Sequence, residues 1–405
     1  MPRTVQPRIL AMIMAGGRGE RLAPLTDFRT KPAVPFGGKY RIIDFVLSNF
    51  VNSDVMAIYA LVQYRSQSLI EHLRRGWRIG GRIHQNFITV VPPQMKTGAM
   101  VYEGTADAVY QNINLIHDFA PDLVAVFGAD HIYRMDIRQM VDFHLAHKAQ
   151  ITVAALPVPL AAASSFGVIE VNEEDRIMGF DEKPRRPKPM PGDPTRAYAS
   201  MGNYLFAADA LVDILNQDSM HGGSHDFGRD IIPRMVGEHR VVAYNFLANE
   251  IPDLQAYEEH GYWRDVGTID AYWQAHMDLL GERPRFDLRN AAWPIMTDSY
   301  DGPAASLVRT RVDAAMIGQG SQIVDAEITR SVIGRNVRID AGCRIEDSVI
   351  LDGSIVGEGS HLRRVIADRF NVLPKQSVVG KADSAITVLP RGRSIGGRAF
   401  NVTGG

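Results

Sequence analysis

Cysteine is almost missing: Cys343 is the single one in 405 residues, so no intramolecular disulfide can form. The twelve histidines show no paired Cys/His spacing, which excludes a structural zinc signature and leaves a reducing, cytoplasmic setting as the expectation. Long apolar runs are lacking as well. Residues 9–15 are too few to span a membrane, and although Arg3 and Arg8 precede them, no h-region of ordinary length or cleavage-like tail follows, so no signal peptide is expected. Charge of one sign is not in excess either. With 44 Lys and Arg against 46 Asp and Glu, the net charge of −2 argues against a dedicated nucleic-acid or membrane surface, and any anion site must be a local cluster. Neither a Ser/His/Asp arrangement nor an H-E-x-x-H helix occurs.

The length and an apolar content of 45% suit two domains. Strand-like runs at 9–15, 55–62, 123–127, 151–156 and 241–246 alternate with helical periods at 66–75, 106–119, 137–146 and 207–215. Thr105 stands as N-cap of the second helix. That rhythm predicts an α/β domain with a mostly parallel sheet over 1–280. "EKPRRPKPMPGDP", with five prolines in thirteen residues, must be an irregular loop. Proline and glycine punctuation marks 281–310 as a connector.

Over 311–405 the pattern changes. Aliphatic residues recur every four to six positions from Ile317 to Val378, and three steps make one turn: Ile317 to Ile333 is 16, Ile333 to Ile350 is 17, and Ile350 to Ile366 is 16. This hexapeptide spacing predicts a parallel β-helix with Ile366, Val372 and Val378 continuing its internal stack and Cys343 as a core filler.

Four stretches carry candidate chemistry. Gly16, Gly17 and Gly19 follow the first strand, where backbone N–H groups and the start of a following helix attract phosphate. The pattern fits neither G-x-G-x-x-G nor a Walker loop. Arg21 and Lys31 supply cations, whereas Arg18 reads equally well as a solvated loop residue. In "LVAVFGADHIYRMD", Asp130 lies just past a buried strand, at the edge where open α/β sheets bind ligands, and suits Mg²⁺, with turn capping as the alternative. His131 reads as structural. In "YWRDVGT", Asp265 is either a second metal carboxylate or half of a salt bridge. In "GFDEKP", Glu182 and Lys183 can pair an acceptor for sugar hydroxyls with a point charge for phosphate, although alone the stretch reads better as a solvated charged loop. Together these suit attack of one phosphate on another, which needs positioning and charge neutralisation more than a general base.

"AGGRGERLAPLTDFRTKPAVPFGGKYRIIDFVLSN", "VYEGTADAVYQN", "GADHIYRMD", "FGV", "DEKP", "ASMGNYLF", "HDFGRDIIP" and "YWRDVGTIDAYW" follow in one order along the chain. In this the sequence resembles the bacterial ADP-glucose pyrophosphorylases (glucose-1-phosphate adenylyltransferases). The resemblance implies a Rossmann-like nucleotidyltransferase domain, a left-handed β-helix for regulation and oligomerisation, a homotetramer, and conversion of ATP and glucose 1-phosphate to ADP-glucose and pyrophosphate in glycogen synthesis. It further implies that Gly16, Gly17, Arg18, Gly19, Gln94 and Tyr102 bind ATP, and that Arg21, Lys31 and Asp130 are catalytic. Asp130 and Asp265 would hold Mg²⁺, and Tyr102, Gly167, Glu182, Lys183 and Ser200 glucose 1-phosphate. Arg29 and Arg41 are implied contacts for a phosphorylated or carboxylate effector. Phe28 and Pro35 stand where members activated by fructose 1,6-bisphosphate carry a basic residue and a histidine, which argues against that activator. Arg229 in "DFGRD" replaces a commoner lysine, and the tail after Gly380 diverges. A transferase for another base or sugar phosphate, and a non-catalytic regulatory paralogue, are the competing readings.

Overall fold

A computed structural model describes residues 6–78, 86–94 and 101–392, with the backbone of Ser394–Ile395 and Arg398–Ala399. Arg3 and the end of the divergent tail lie outside the described residues. In chain order the α/β half contains β1 (Ile9–Met14), α1 (Ile42–Asn52), β2 (Ala57–Leu61), α2 (Gln67–Gly76), β3 (Phe87–Val91), α3 (Thr105–Tyr110), α4 (Ile113–Phe119), β4 (Leu123–Gly128), β5 (His131–Tyr133) and α5 (Ile137–Ala146). It continues with β6 (Ile151–Pro159), β7 (Gly167–Val171), β8 (Ile177–Glu182), β9 (Arg196–Ala207), α6 (Ala208–Asp218), β10 (Val241–Asn245), β11 (Trp263–Asp265) and α7 (Ile269–Met277).

The run "ILAMIM" has no polar residue because β1 is central and covered on both faces. It pairs in parallel with β2 and β4, with Ala11 opposite both Ile58 and Ala125. Leu10 and Met12 join one core with Leu211 and Ile214 of α6, while Ala11 and Ile13 join another with Val46, Leu47 and Phe50 of α1. The sheet runs β8-β7-β9-β4-β1-β2-β3, with β6 on β9 and β10 on β6. The long β9 is antiparallel to β4, β6 and β7, so the sheet has a parallel centre and a mixed flank.

The helix expected over 106–119 is two helices. Asn112 donates its amide to the Ala108 carbonyl at 2.8 Å and to Tyr102 Oη at 3.0 Å, drawing the backbone out of the helical ladder between α3 and α4. Thr105 is not the cap; Gly104 is, and the Thr105 hydroxyl donates to Asp226 at 3.0 Å and accepts from Phe227 N–H. The connector, without helix or strand over 281–305, still packs tightly: Trp293 is buried, and Thr297 donates to the buried carboxylate of Asp44 in α1.

From Ser306 onward the chain winds into three parallel five-stranded faces. Ile317, Ile333 and Ile350 are stacked in register, but the next residue in that column is Ala367, not Ile366. The step from 350 to 367 is 17. The other columns do the same, continuing through Leu373 and Val379 instead of Val372 and Val378. Because strand side chains alternate in direction, this one-residue difference turns Ile366 out of the stack and into a second core that it shares with Trp273, Tyr272 and Phe36 of the α/β half. Val378 is left 79% exposed. Leu373→Ala should therefore cost about 2–5 kcal/mol in equilibrium unfolding, and Val378→Ala less than about 0.5 kcal/mol; equal costs would restore the simpler spacing. Cys343 is buried, its Sγ 3.2 Å from the Gly357 carbonyl, and burial pushes its thiol pKa up. It is a filler, not a reactive thiol.

Candidate active site

The ends of β1, β2 and β4 open into a cleft of about 1140 Å³. Its lining includes Gly16, Gly17, Arg18, Gly19, Arg21, Lys31, Tyr102, Asp130, Gly167, Glu182, Lys183, Ser200 and Asp265. Residues separated by more than 200 positions thus share one wall. The glycine loop is held from beneath by Thr26, which donates to the Gly19 carbonyl at 3.0 Å, and by Thr30, which donates to Ala15 at 3.2 Å. Gly19 has φ +65, and a Cβ there would lie 3.0 Å from Lys31 Cβ, so both backbone conformation and space require glycine. The loop leads only into a three-residue 3₁₀ turn, Glu20–Leu22. The helix start expected to aid phosphate binding is therefore absent, and attraction falls to backbone N–H groups and side-chain cations.

The position of Asp265 is set by strand pairing. β11 runs antiparallel to β5 with Asp265 opposite His131, which brings the Asp265 carboxylate beside that of Asp130 in the turn after β4. Lys31 lies between them, Nζ donating to Asp130 Oδ2 at 2.9 Å and to Asp265 Oδ1 at 2.7 Å. Arg21 reaches the other oxygen of Asp265 at 3.8 Å with its side chain 72% exposed. Burial pushes the Asp130 pKa up, but the neighbouring His131 and Lys31 outweigh it and hold the carboxyl well below the usual range. Burial pushes the Lys31 pKa down, and the two carboxylates overcome that, leaving it raised. His131 lies against Trp263, ring centroids 4.7 Å apart, with Nε2 3.5 Å from Asp130.

Ligand atoms of Asp130, His131 and Asp265 all lie within 4.8 Å of one another. Hard carboxylate oxygens, one of them half-open to the cleft, suit a divalent cation that draws its remaining ligands from phosphate and water. The residues fit such an ion.

Elsewhere in the cleft lining Glu182 ends β8, and Lys183, with φ +49, turns back to place Nζ 2.8 Å from Glu182 Oε1. A Cβ on Gly167 would meet Phe180 Cζ at 2.6 Å and Glu182 Oε2 at 2.9 Å, so the missing side chain is what leaves Glu182 room. Ser200 sits at an irregularity of β9 and accepts from Gly202 N–H at 3.3 Å.

Three residues named from the sequence stand elsewhere. Gln94 is exposed outside the lining, its amide donating to the Pro92 carbonyl, and residues 95–100 beyond it lie outside the described residues. Arg29 is 2% exposed and donates through Nη2 to both oxygens of Asp368 in the β-helix at 2.9 Å. Arg41 donates to the Ala33 carbonyl at 2.7 Å, and burial, reinforced by Arg369, lowers its pKa to about 10. Phe28 is 60% exposed with the Arg391 guanidinium 5.7 Å from its ring centre.

Sequence reasoning passes over two lining residues. Gln63 packs against Gly16 and donates to the Tyr102 carbonyl at 3.2 Å. Asp226 caps the turn at Phe227, accepting from the N–H groups of Gly228 and Arg229 at 3.0 Å. The Asp-Phe-Gly-Arg-Asp run carries the capping signal that would have marked it.

No helix among the described residues is long and apolar enough to cross a membrane. The Nucleotidyl transferase family matches residues 10–282, and the GlmU-like, C-terminal hexapeptide family matches 304–385. A glucose-1-phosphate adenylyltransferase of Thermodesulfovibrio yellowstonii is 50% identical over 397 residues, covering 95% of this chain and 96% of its own. Glucose-1-phosphate adenylyltransferase 1 of Vibrio vulnificus is 48% identical over 405 residues, covering 96% and 99%. A third relative of that name, from Anaeromyxobacter, is 45% identical over 405 residues, covering 95% and 98%. With a left-handed hexapeptide β-helix behind a Rossmann-like sheet and this identity over almost the whole length, the chain belongs to the nucleotidyl transferases and, among them, to the glucose-1-phosphate adenylyltransferase family.

Proposed function

We propose that the protein transfers an adenylyl group from ATP to α-D-glucose 1-phosphate, giving ADP-glucose and pyrophosphate for α-glucan synthesis. The observation that carries this reading is that Lys31, Asp130, Asp265, Glu182 and Lys183 line one cleft, with Lys31 bonded to both aspartates. Gly16, Gly17, Arg18 and Gly19 cradle the triphosphate, and Tyr102 lines the nucleotide side. Glu182 and Ser200 accept from glucose hydroxyls, Gly167 gives them space, and Lys183 pairs with the sugar phosphate. Asp130 and Asp265 would hold Mg²⁺, which supplies charge neutralisation at the phosphates when bound. A phosphate oxygen of glucose 1-phosphate forms the new bond to the α-phosphorus, the bond from that phosphorus to the β-bridging oxygen breaks in line, and pyrophosphate leaves with its electron pair. Arg21 and Lys31 neutralise the charge it carries away. No proton need move at the attacking dianion, so this step needs no general base.

Lys183→Gln should raise the apparent KM for glucose 1-phosphate by roughly 10–100-fold with kcat less affected, because a lost ground-state contact acts mainly on binding. A selective rise in the KM for ATP would refute the role. Pyrophosphate release measured with each nucleoside triphosphate tests the base: ATP should be preferred, and preference for another triphosphate would make the protein a different sugar-phosphate transferase. Arg29 and Arg41 stand in this reading as contacts for a small phosphorylated or carboxylate effector, in a homotetramer, with fructose 1,6-bisphosphate disfavoured by Phe28 and Pro35. Titration of activity across phosphorylated sugars, pyruvate, AMP and phosphate identifies the effector.

A further inference from the structure

Lys31 is bonded to the two carboxylates that a divalent cation would use. Its ammonium touches Asp130 Oδ2 and Asp265 Oδ1, one oxygen from each of the two carboxylates proposed to bind metal, and its side chain is only 7% exposed. The carboxylates themselves are 39% and 26% exposed, so the cleft side of the site is open while the inner side is filled by the lysine. The lysine backbone is fixed. Lys31 begins a 3₁₀ turn, Thr30 before it is fully buried and bonded to the glycine loop, and Val34 N–H returns to the Lys31 carbonyl at 3.0 Å. Only the four-carbon stem is free to swing. A divalent ion bound to both carboxylates would sit within a few ångströms of the ammonium, and in a partly buried site that repulsion is strong. Lys31 leaves Asp130 Oδ1 and Asp265 Oδ2 to an ion, so the conflict between ion and ammonium is one of charge.

We propose that Lys31 is an exchangeable internal cation: it holds the two acids together while the site is free of metal, and divalent binding expels its ammonium into the cleft beside the glycine loop. The inference rests on the reading that Asp130 and Asp265 bind a divalent ion. It explains how one lysine serves two kinds of partner, carboxylates in the resting protein and phosphate oxygens once metal is in place. It also makes metal and triphosphate bind cooperatively through a side chain, since each favours the same position of Lys31, and such coupling is reciprocal.

The test uses Mn²⁺ alone and the full-length protein. In the wild type, acetylation of Lys31 by an amine-reactive reagent, read by mass spectrometry, should rise about tenfold at saturating Mn²⁺ without nucleotide, and fall again when ATP is added, a size typical of site coupling. Unchanged acetylation with Mn²⁺ bound overturns the proposal. Titration of the free Mn²⁺ electron-spin signal should show Lys31→Met and Lys31→Gln binding Mn²⁺ roughly 5–150-fold more tightly than the wild type; equal or weaker binding by a variant with the wild-type circular dichroism contradicts it. If neither variant folds, the wild-type acetylation decides alone. Asp265→Asn should remove tight Mn²⁺ binding, and if it does not, the metal reading fails and this inference with it. Release of Lys31 by Mn²⁺ in a protein that makes no ADP-glucose would uphold the exchange and reject the proposed reaction.

Discussion

Asp130→Asn should lower kcat by roughly 10³-fold or more while leaving affinity for glucose 1-phosphate nearly intact. The carboxylate stands in the turn between β4 and β5, within hydrogen-bonding distance of Lys31 and next to Asp265, in the cleft that Lys183 also lines. The amide keeps the shape but loses the charge on which cation binding depends. It also leaves Lys31 with one carboxylate instead of two, so the neutral variant disturbs the metal position and the lysine together. In the proposed reaction glucose 1-phosphate is held by Glu182, Lys183 and Ser200 and not by Asp130. Single-turnover rates and equilibrium binding of glucose 1-phosphate separate the two effects, and turnover within about tenfold of wild type would remove Asp130 from the reaction.

Arg29→Ala should destabilise the protein by about 3–5 kcal/mol, because it leaves Asp368 as an uncompensated buried charge. The pair joins the catalytic half to the β-helix, with side chains 2% and 0% exposed. Asp368 keeps one other donor, the N–H of Arg369 at 2.7 Å, which is insufficient for a full carboxylate. The double variant Arg29→Ala/Asp368→Ala should recover much of that loss, since removing both charges also removes both desolvation costs. Urea unfolding of the two single variants and the double measures the coupling. Losses that simply add would show that the pair is not acting as a unit.

How much of the fold and site is legible in the sequence depends on how local the signal is. The first strand and its glycines can be read because a six-residue apolar run ending in Gly16, Gly17 and Gly19 has few other structural solutions. Asp130 is legible from its place after a buried strand. Asp265 is not, since its meeting with Asp130 depends on the antiparallel pairing of two three-residue strands, β5 and β11, that lie more than 130 positions apart. The spacing places the inward residue of the late β-helix strands one position early because "RVIAD" offers Val365, Ile366 and Ala367 in succession, and only the turn length decides which of them faces inward. Ile366 is the largest and so the natural choice, but the catalytic half needs it. The break between α3 and α4 is hidden for a similar reason: the apolar period runs through it, and only the side chain of Asn112 competes with the backbone. The buried pairing of Arg29 is not legible, because nothing near it in sequence announces a partner 339 positions away.

The most direct measurement is the product itself. Purified protein incubated with ATP, glucose 1-phosphate and Mg²⁺ should yield ADP-glucose and pyrophosphate in equal amounts, identified by mass spectrometry and phosphate analysis, with the Asp130→Asn protein giving neither at a comparable rate. Pyrophosphate without ADP-glucose, or no turnover with any triphosphate and sugar phosphate pair in a protein that still binds both, would contradict the assignment and leave a binding protein on a transferase fold.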